Sequence, residues 1–321
     1  MAIDDALLGA WPLPAPADDG DKSDRGRAVC LGGAPELPGA IILAGTAALR
    51  AGAGTLRIGT GRSIAQAVAV AVPEALVFGV AETRAGAIAP HAVAAIAERL
   101  ADARAVLIGP GMVGPAAAAR LLTALLPHLE GVGTLLLDAV GLDAAAATQH
   151  AVRGFRAGAG AGASVIMTPH AGEMARLLAT DLASVAADPV GAARHAASHF
   201  NAVVTLKGAD TYVATPGADV YCYRDGGVGL ATSGSGDTLA GVVAGLAARG
   251  ADPAQAAVWG VYLHGEAGNR LTARIGRLGF LARELLAEVP CVMAGFDRPR
   301  RRRARHAARP DQSSRSRSRS S

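Results

Sequence analysis

The chain has 321 residues, of which 51% are hydrophobic, 18% charged and 3% aromatic, which supports a sizeable core and excludes extended disorder over most of the chain. Its 41 Gly have no triplet period, which excludes a collagen-like fibre. The formal net charge of +4 hides an asymmetry, because residues 297–321 hold ten Arg and two Asp and carry +8, which leaves −4 for residues 1–296.

From residue 28 onward, short apolar runs alternate with Ala-rich stretches of helical length. Strands are predicted at 28–33, 55–60, 75–80, 105–112, 133–137, 164–167 and 202–208, and helices at 38–54, 62–71, 90–101, 115–129, 236–249, 253–272 and 279–288. Residues 211–214 and 219–223 alternate like an antiparallel pair. Apolar strands separated by helices indicate a mostly parallel sheet covered on both faces. The sequence therefore predicts one α/β domain over 22–290, with an antiparallel edge.

The segments outside this domain differ from it in composition. Residues 1–21 contain five Asp and three Pro and lack the basic region of a signal peptide. We interpret them as a polar, Pro-rich lead-in and expect it to be flexible. Residues 297–321 form a low-complexity Arg/Ser tail that is predicted to be disordered. Such a basic arm can bind nucleic acid, but no aromatic or folded RNA-binding element accompanies it. A dispensable extension is therefore favoured, and nucleic acid is disfavoured as a partner.

Cysteine use and hydropathy indicate the compartment. Cys30, Cys222 and Cys291 are widely spaced and include no CxxC pair, so neither a disulfide framework nor a zinc site is expected. No uncharged apolar run reaches about 18 residues, the length that a transmembrane helix requires. We expect a cytoplasmic protein without a membrane span.

A loop of small residues, SGSGDTLAG at 233–241, opens a predicted helix. Backbone N–H groups at a helix start attract phosphate, and the stretch Gly234–Gly236 lets an anion approach closely. Asp237 would repel phosphate as a ligand, but it suits a base for a hydroxyl that attacks phosphorus, or a group that orients Mg²⁺-bound water. The alternative is a first-turn acid favoured by the helix dipole, which leaves the small residues and Thr238 unexplained.

Polar residues also follow two other predicted strands. His170 and Glu173 stand three apart in TPHAGE, and side chains at the carboxyl ends of strands can share one cleft. The structural alternative makes Thr168 a helix N-cap and Glu173 an early-turn acid. Lys207 is one of two Lys in the chain and suits a nucleotide phosphate, or is a surface residue at a strand end.

Six motifs stand in an order that resembles a known family. They are GPGM (109–112), LLLDAVGL (135–142), TPHAGEM (168–174), TLKGADT (205–211), SGSGDTLAG (233–241) and YLHGEAG (262–268). The order and the pairing of TPH-x-GE with GSGD resemble ADP/ATP-dependent NAD(P)H-hydrate dehydratases, which are similar to the ribokinase superfamily. The resemblance covers about residues 22–290.

The resemblance implies a fold and a reaction. The fold is a ribokinase-like three-layer α/β/α sandwich. The reaction restores NADH and NADPH that are hydrated at C6 of the nicotinamide ring: the C6 hydroxyl is phosphorylated by ADP or ATP, and phosphate is then eliminated. The resemblance further implies a homotetramer and a functional pairing with an NAD(P)H-hydrate epimerase, and the bacterial character of the chain favours ADP.

The resemblance also assigns residues to roles. Asp237 corresponds to the catalytic base. The adenine nucleotide is assigned to Lys207, Gly208, Ala209, Asp210, Thr211 and Gly236. The hydrated dinucleotide is assigned to Ala40, Gly111, His170 and Asp237. Glu173 corresponds to a residue that organises Mg²⁺ indirectly.

Three positions depart from the family pattern. Ser233 replaces a Gly, Val140 replaces an Asp, and Asn269 stands where Asp is common. The main rival function is a ribokinase-like kinase of a small alcohol or vitamin precursor, which would release a stable phosphate ester. His170 stands where such kinases carry Asn, which argues against this rival. The second rival is a nucleic-acid-binding protein that acts through its tail.

Overall fold

A nine-stranded sheet runs through the part of the chain that the computed structural model describes, which is residues 1–15, 20–129, 131–155 and 164–297. The strands are β1 (Arg27–Leu31), β2 (Thr55–Gly61), β3 (Leu76–Val80), β4 (Ala103–Ile108), β5 (Thr134–Leu137), β6 (Val165–Met167), β7 (Val203–Leu206), β8 (Thr211–Ala214) and β9 (Tyr221–Tyr223). Their order is β3-β2-β1-β4-β5-β6-β7-β8-β9. Strands β3 to β7 pair in parallel, and β8 and β9 continue antiparallel, which confirms the predicted sheet.

Helices connect these strands. They are α1 (Asp5–Ala10), α2 (Pro38–Arg50), α3 (Arg62–Ala71), α4 (Val93–Ala97), α5 (Pro115–Leu125), α6 (Val140–Ala147), α7 (Gln149–Gly154), α8 (Ala171–Leu177), α9 (Leu182–Ala187), α10 (Pro189–Phe200), α11 (Ser235–Ala248), α12 (Pro253–Arg274) and α13 (Ala282–Met293). The sequence patterns do not predict α1, α6, α7, α9 or α10, because most of these helices are short and depend on tertiary packing. The helix that the structural alternative places after Thr168 is present as α8. Within the described ranges, none is both long and apolar enough to cross a membrane.

The sheet separates two hydrophobic cores. On β4, Ala105 and Leu107 face the core that includes α2, α11, α12 and α13, whereas Val106 and Ile108 face the core that includes α5, α6, α8 and α10. This alternation follows from the two-residue period of a strand, and both faces are apolar because both are covered. The result is the predicted three-layer α/β/α sandwich.

Close packing of α11 on α2 determines where the small-residue loop lies. A Cβ at Gly241 would collide with the carbonyl oxygen of Ala44, and one at Gly245 with that of Ala48, so only glycine permits this approach. At the start of α11, a Cβ on Gly234 would lie 2.5 Å from Cδ1 of Leu43. The beginning of α11 therefore lies against the first turns of α2, so both helix starts lie at one end of the sheet.

The N-terminal segment differs from the expected flexible lead-in over residues 1–15. The N–H of Ile3 donates to the carbonyl oxygen of Cys222 at 2.9 Å, and Leu8 is fully buried. Further along, the Trp259 indole N–H donates to the Trp11 carbonyl oxygen at 2.8 Å. The physical reason is that buried donors on α12 require acceptors, and this segment supplies them. The Arg/Ser tail from residue 298 lies outside the described residues.

Candidate functional site

Three polar side chains meet where adjacent parallel strands end. Asp138 follows β5, Thr168 follows β6 and Lys207 follows β7. The Thr168 hydroxyl donates to Oδ1 of Asp138 at 2.7 Å, and Nζ of Lys207 donates to the same oxygen at 3.0 Å. Asp138 is only 2% exposed, so both donors compensate for the burial of its charge. Ligands of open α/β sheets bind at this end of the strands.

Asp138 is held by an unusual turn. Ala139 has φ 48° and ψ −123°, a conformation that L-residues rarely adopt, and α6 begins at the next residue. A Cβ at Gly109 would collide with the carbonyl oxygen of Asp138, so the end of β4 packs directly on this turn. Strained backbone of this kind concentrates at functional sites. Neither Asp138 nor Thr168 is assigned to the site from sequence, although an acid that ends an apolar strand is a usable signal.

His170 and Glu173 are joined at the start of α8. His170, rather than the expected Thr168, is the N-cap, and its Nδ1 accepts from the N–H groups of Gly172 at 3.0 Å and Glu173 at 3.3 Å. In return, Oε2 of Glu173 accepts from the His170 N–H at 2.8 Å, which completes a capping box. The His170 side chain is 57% exposed, so its ring is open to a ligand while its backbone is fixed.

The Glu173 carboxylate does not form a metal site with its neighbours. Its Oε2 accepts from His170 and lies 3.8 Å from Nζ of Lys207, and its Oε1 lies 3.6 Å from Nε2 of His170. Among the described residues, no group of three or more His, Cys, Asp or Glu side chains could hold a metal ion. The described side chains therefore form no complete metal site by themselves.

The start of α11 offers free backbone donors. The Ser235 N–H donates to the Thr232 carbonyl at 3.2 Å, and the Thr238 N–H donates to that of Gly234 at 3.0 Å. Between them, the N–H groups of Gly236 and Asp237 have no acceptor among the residues that the structure describes. Of the expected stretch Gly234–Gly236, the Ser235 N–H is therefore engaged within the protein, whereas that of Gly236 stays available. Aligned N–H groups at a helix start attract an anion.

Lys207 and Asp237 are electrostatically linked across this helix start. A Cβ at Gly236 would lie 3.4 Å from Nζ of Lys207, so the cation lies beside the free N–H groups. Burial and the negative charges of Asp138 and Glu173 raise the pKa of Asp237 to about 6, although Lys207 opposes this. Burial alone would lower the pKa of Lys207, but the surrounding carboxylates outweigh it and raise that pKa. Lys207 is therefore a permanent cation beside a carboxylate whose pKa is raised toward neutral pH.

The residues assigned to the dinucleotide include a close pair. Gly111 has φ +66°, and a Cβ there would lie 2.6 Å from the Leu37 carbonyl oxygen and 2.9 Å from Cβ of Ala40. The loop after β4 and the start of α2 thus approach each other through two small residues, as the joint assignment of Ala40 and Gly111 requires. A larger side chain at Gly111 would separate them.

All residues assigned to the nucleotide except Gly236 lie in the turn between β7 and β8 or at the first residue of β8. The Thr211 hydroxyl donates to the Gly208 carbonyl at 3.4 Å. Oδ2 of Asp210 accepts from the Tyr212 hydroxyl at 3.2 Å and lies 3.5 Å from Nε of Arg224. Asp210 therefore has one partner on β8 and one directly after β9. Gly208 and Ala209 are exposed and follow Lys207 directly.

A profile of the NAD(P)H-hydrate dehydratase family matches residues 28–291. The chain belongs to this family. An ADP-dependent (S)-NAD(P)H-hydrate dehydratase of Xanthomonas campestris pv. campestris is 46% identical over 288 residues, which are 90% of this chain and 94% of that protein. A bifunctional NAD(P)H-hydrate repair enzyme of Moorella thermoacetica is 38% identical over 91% of this chain, which spans 54% of that longer enzyme. The family expected from the six motifs is confirmed.

Solved structures of similar proteins have the same fold. The ADP/ATP-dependent NAD(P)H-hydrate dehydratase of Bacillus subtilis, co-crystallised with ATP and Mg²⁺, superimposes with a TM-score of 0.71 at 29% identity and covers 91% of this chain and 97% of that one. A ribokinase-like protein of Enterococcus faecalis superimposes with a TM-score of 0.78 at 24% identity over 93% of this chain and 96% of that one. The second similarity shows the fold, and the ribokinase-like architecture is confirmed.

Proposed function

We propose that this dehydratase converts the S form of hydrated NADH and NADPH back to the reduced cofactor and couples the step to cleavage of ADP. The observation that carries this proposal is a carboxylate with a raised pKa, Asp237, at a helix start whose free N–H groups lie beside Lys207. The names of the Xanthomonas and Bacillus relatives support the substrate and the adenine nucleotide.

In the first step, Asp237 takes the proton of the C6 hydroxyl as its oxygen attacks the terminal phosphorus of the nucleotide. The phosphorus–oxygen bond to the leaving AMP breaks as the new bond forms. Lys207 and the N–H groups of Gly236 and Asp237 stabilise the charge on the phosphoryl group in transit. In the second step, phosphate leaves C6 with its electron pair, a ring proton is lost, and the double bond of the nicotinamide ring is restored.

Two sides of the site bind the two substrates in this proposal. Ala40, Gly111 and His170 contact the hydrated dinucleotide, where small residues admit a flat ring and an exposed imidazole can donate to it. Gly208, Ala209, Asp210 and Thr211 contact the adenine nucleotide. Mg²⁺ would accompany the nucleotide, and Glu173, whose Oε2 already accepts from the His170 N–H, would help to organise it indirectly.

We further propose that the enzyme is a cytoplasmic homotetramer that acts together with an NAD(P)H-hydrate epimerase. The bifunctional repair enzymes among its relatives support this pairing, since this chain spans about half of their length. An epimerase would convert the R form of the hydrate to the S form that the dehydratase uses.

The direct test is recovery of NADH from hydrated NADH with purified protein, first with ADP and then with ATP. We expect absorbance of the reduced nicotinamide to return in a nucleotide-dependent manner, with AMP and phosphate as products and a higher kcat/KM for ADP. Accumulation of a stable phosphate ester from a small alcohol, without recovery of NADH, would instead assign a ribokinase-like kinase.

The raised pKa of Asp237 predicts the acid limb of the pH profile. A base must be deprotonated to act, so kcat/KM should fall about tenfold per pH unit below about pH 6, rather than below the ordinary 3.8 of Asp. Asp138→Asn removes a negative charge that raises this pKa, so it should move the limb to lower pH. A profile that stays flat down to pH 4.5 in the wild type would contradict the assignment of Asp237.

The Arg/Ser tail is predicted to be dispensable for catalysis. Every residue assigned to catalysis or binding precedes residue 240, whereas the tail begins at Asp297. Truncation after Phe296 should leave kcat and both KM values within about twofold of the full chain at moderate salt, because no residue of the tail is assigned to catalysis or to substrate binding. A tenfold loss of kcat in a folded truncation would show that the tail takes part.

A further inference from the structure

A histidine lies directly behind the anion-binding helix start. His264 is near the middle of α12, where its neighbours Leu263 and Ala267 are buried against the core. Its Nε2 lies 2.9 Å from Oγ of Ser235 and 3.1 Å from the carbonyl oxygen of the same residue. One ring nitrogen therefore contacts both the side chain and the backbone of the first residue of α11.

The contact determines what Ser235 can do. Ser235 is 4% exposed, so its hydroxyl faces the protein interior and is not free to bind a phosphate. The residues on either side are Gly234, at φ +85°, and Gly236, so the backbone here has little intrinsic preference for one conformation. An external contact must therefore fix the direction of the N–H groups that follow.

We propose that His264 is a positioning residue that fixes the N–H groups of Gly236 and Asp237 through Ser235; this role rests on the function proposed above for the same site. Nothing in the reaction requires His264 to touch a substrate. It acts by holding the first turn of α11 in the orientation that receives the phosphoryl group, which spares the reaction the cost of ordering a Gly-Ser-Gly stretch.

The charge state of this histidine suits the role. Burial lowers the pKa of His264 to about 4, the contact with Ser235 opposes that, and the nearby cation Lys207 adds to the lowering. The imidazole is therefore neutral at physiological pH. A neutral group can hold Ser235 without competing with Lys207 for phosphate and without stabilising the ionised form of Asp237.

The test uses three single variants whose side chains separate hydrogen bonding from packing. His264→Leu introduces an apolar side chain of similar bulk that has no nitrogen, His264→Gln places an amide near the position of Nε2, and Ser235→Ala removes the contacted hydroxyl. We expect His264→Leu to lower kcat about 10–100-fold and to weaken ADP binding, measured by calorimetry, about 5–20-fold. The KM for the hydrated dinucleotide should change less than twofold. His264→Gln should recover most of the loss.

A double-mutant cycle decides whether His264 acts through Ser235. If it does, the variant that carries both His264→Leu and Ser235→Ala is no worse than the poorer single variant. Additive losses, failure of His264→Gln to recover activity, or an equal loss of dinucleotide and ADP binding would overturn the proposal and leave a packing role. If His264→Leu does not fold, as judged by circular dichroism, His264→Gln and Ser235→Ala still give the required comparison.

The two proposals fail in different ways. If the wild type binds ADP but does not restore NADH, the proposed function is wrong, and the calorimetric series still measures how His264 and Ser235 affect the anion site. If NADH is restored and His264→Leu retains the wild-type kcat and ADP affinity, only the positioning role is overturned.

Discussion

Asp237→Asn should lower the kcat for NADH recovery about 10²–10⁴-fold, the range for loss of a general base. The amide preserves the shape of the side chain but cannot accept the hydroxyl proton while the oxygen attacks phosphorus. ADP binding should persist or tighten, because a negative charge near the phosphates is gone. The measurements are the kcat for NADH recovery and the calorimetric affinity for ADP, both compared between the purified variant and the wild type.

The same substitution should increase stability at neutral pH. The pKa of Asp237 is raised in the folded state from 3.8 to about 6, so between these values the folded state binds a proton that the unfolded state has released. Ionisation of Asp237 therefore lowers the stability of the wild type as the pH rises from 3.8 to about 6, whereas Asn at this position has no such effect. The Tm of Asp237→Asn should exceed that of the wild type at pH 7, and the difference should shrink toward pH 4.

Asp219→Asn, at an exposed position, is the matched control and should change neither turnover nor Tm. A folded Asp237→Asn enzyme that turns over at a near wild-type rate would show that the kinase-like mechanism is wrong. A Tm below that of the wild type at pH 7 would show that the raised pKa is wrong.

Lys207→Ala should raise the KM for ADP about 5–100-fold and lower kcat less, because loss of a charged hydrogen bond to phosphate costs about 1–3 kcal/mol. It should also destabilise the protein by about 2–4 kcal/mol, because Asp138 would retain a buried charge with only the Thr168 hydroxyl as partner. The KM for the hydrated dinucleotide should scarcely change. Steady-state kinetics and denaturant unfolding measure the two effects separately.

A second substitution separates the two roles of Lys207. Adding Asp138→Asn to Lys207→Ala removes the unpaired buried charge, so stability should largely recover while the KM for ADP stays high. Lys22→Ala, at the other lysine of the chain, is exposed and should leave both quantities unchanged. If Lys207→Ala leaves ADP dependence unaltered, Lys207 does not contact the nucleotide.

Much of the fold follows from local patterns. Strand β2 is predicted at 55–60 and found at Thr55–Gly61, and α12 is predicted at 253–272 and found at Pro253–Arg274, because long, strongly patterned segments encode their own structure. The antiparallel edge is predicted from alternation at 211–214 and 219–223 and is present. The order of six short motifs identifies the family, and with it Asp237 as the candidate base.

Local patterns do not predict the segments that depend on distant partners. Residues 1–15 include Pro12 and Pro14 and are followed by further Pro and Asp residues, a pattern that is typical of a mobile lead-in. They are ordered because Gln255, Trp259 and Arg249, more than 230 positions away, donate to their backbone carbonyls. Likewise, His170 is the N-cap of α8 because Glu173 completes the capping box, whereas residue preference alone favours Thr168.

The sequence by itself determines the fold class, the family and the chemical types in the site: a carboxylate at a glycine-rich helix start, a lysine and a histidine. Only the tertiary structure reveals that Lys207 is bonded to Asp138, 69 positions away, and that His264 lies 2.9 Å from Ser235, 29 positions away. These contacts arise because β5, β6 and β7 are neighbours in the sheet and α12 packs on α11. Burial and neighbouring charge raise the pKa of Asp237, and both depend on this packing rather than on any local pattern of residues.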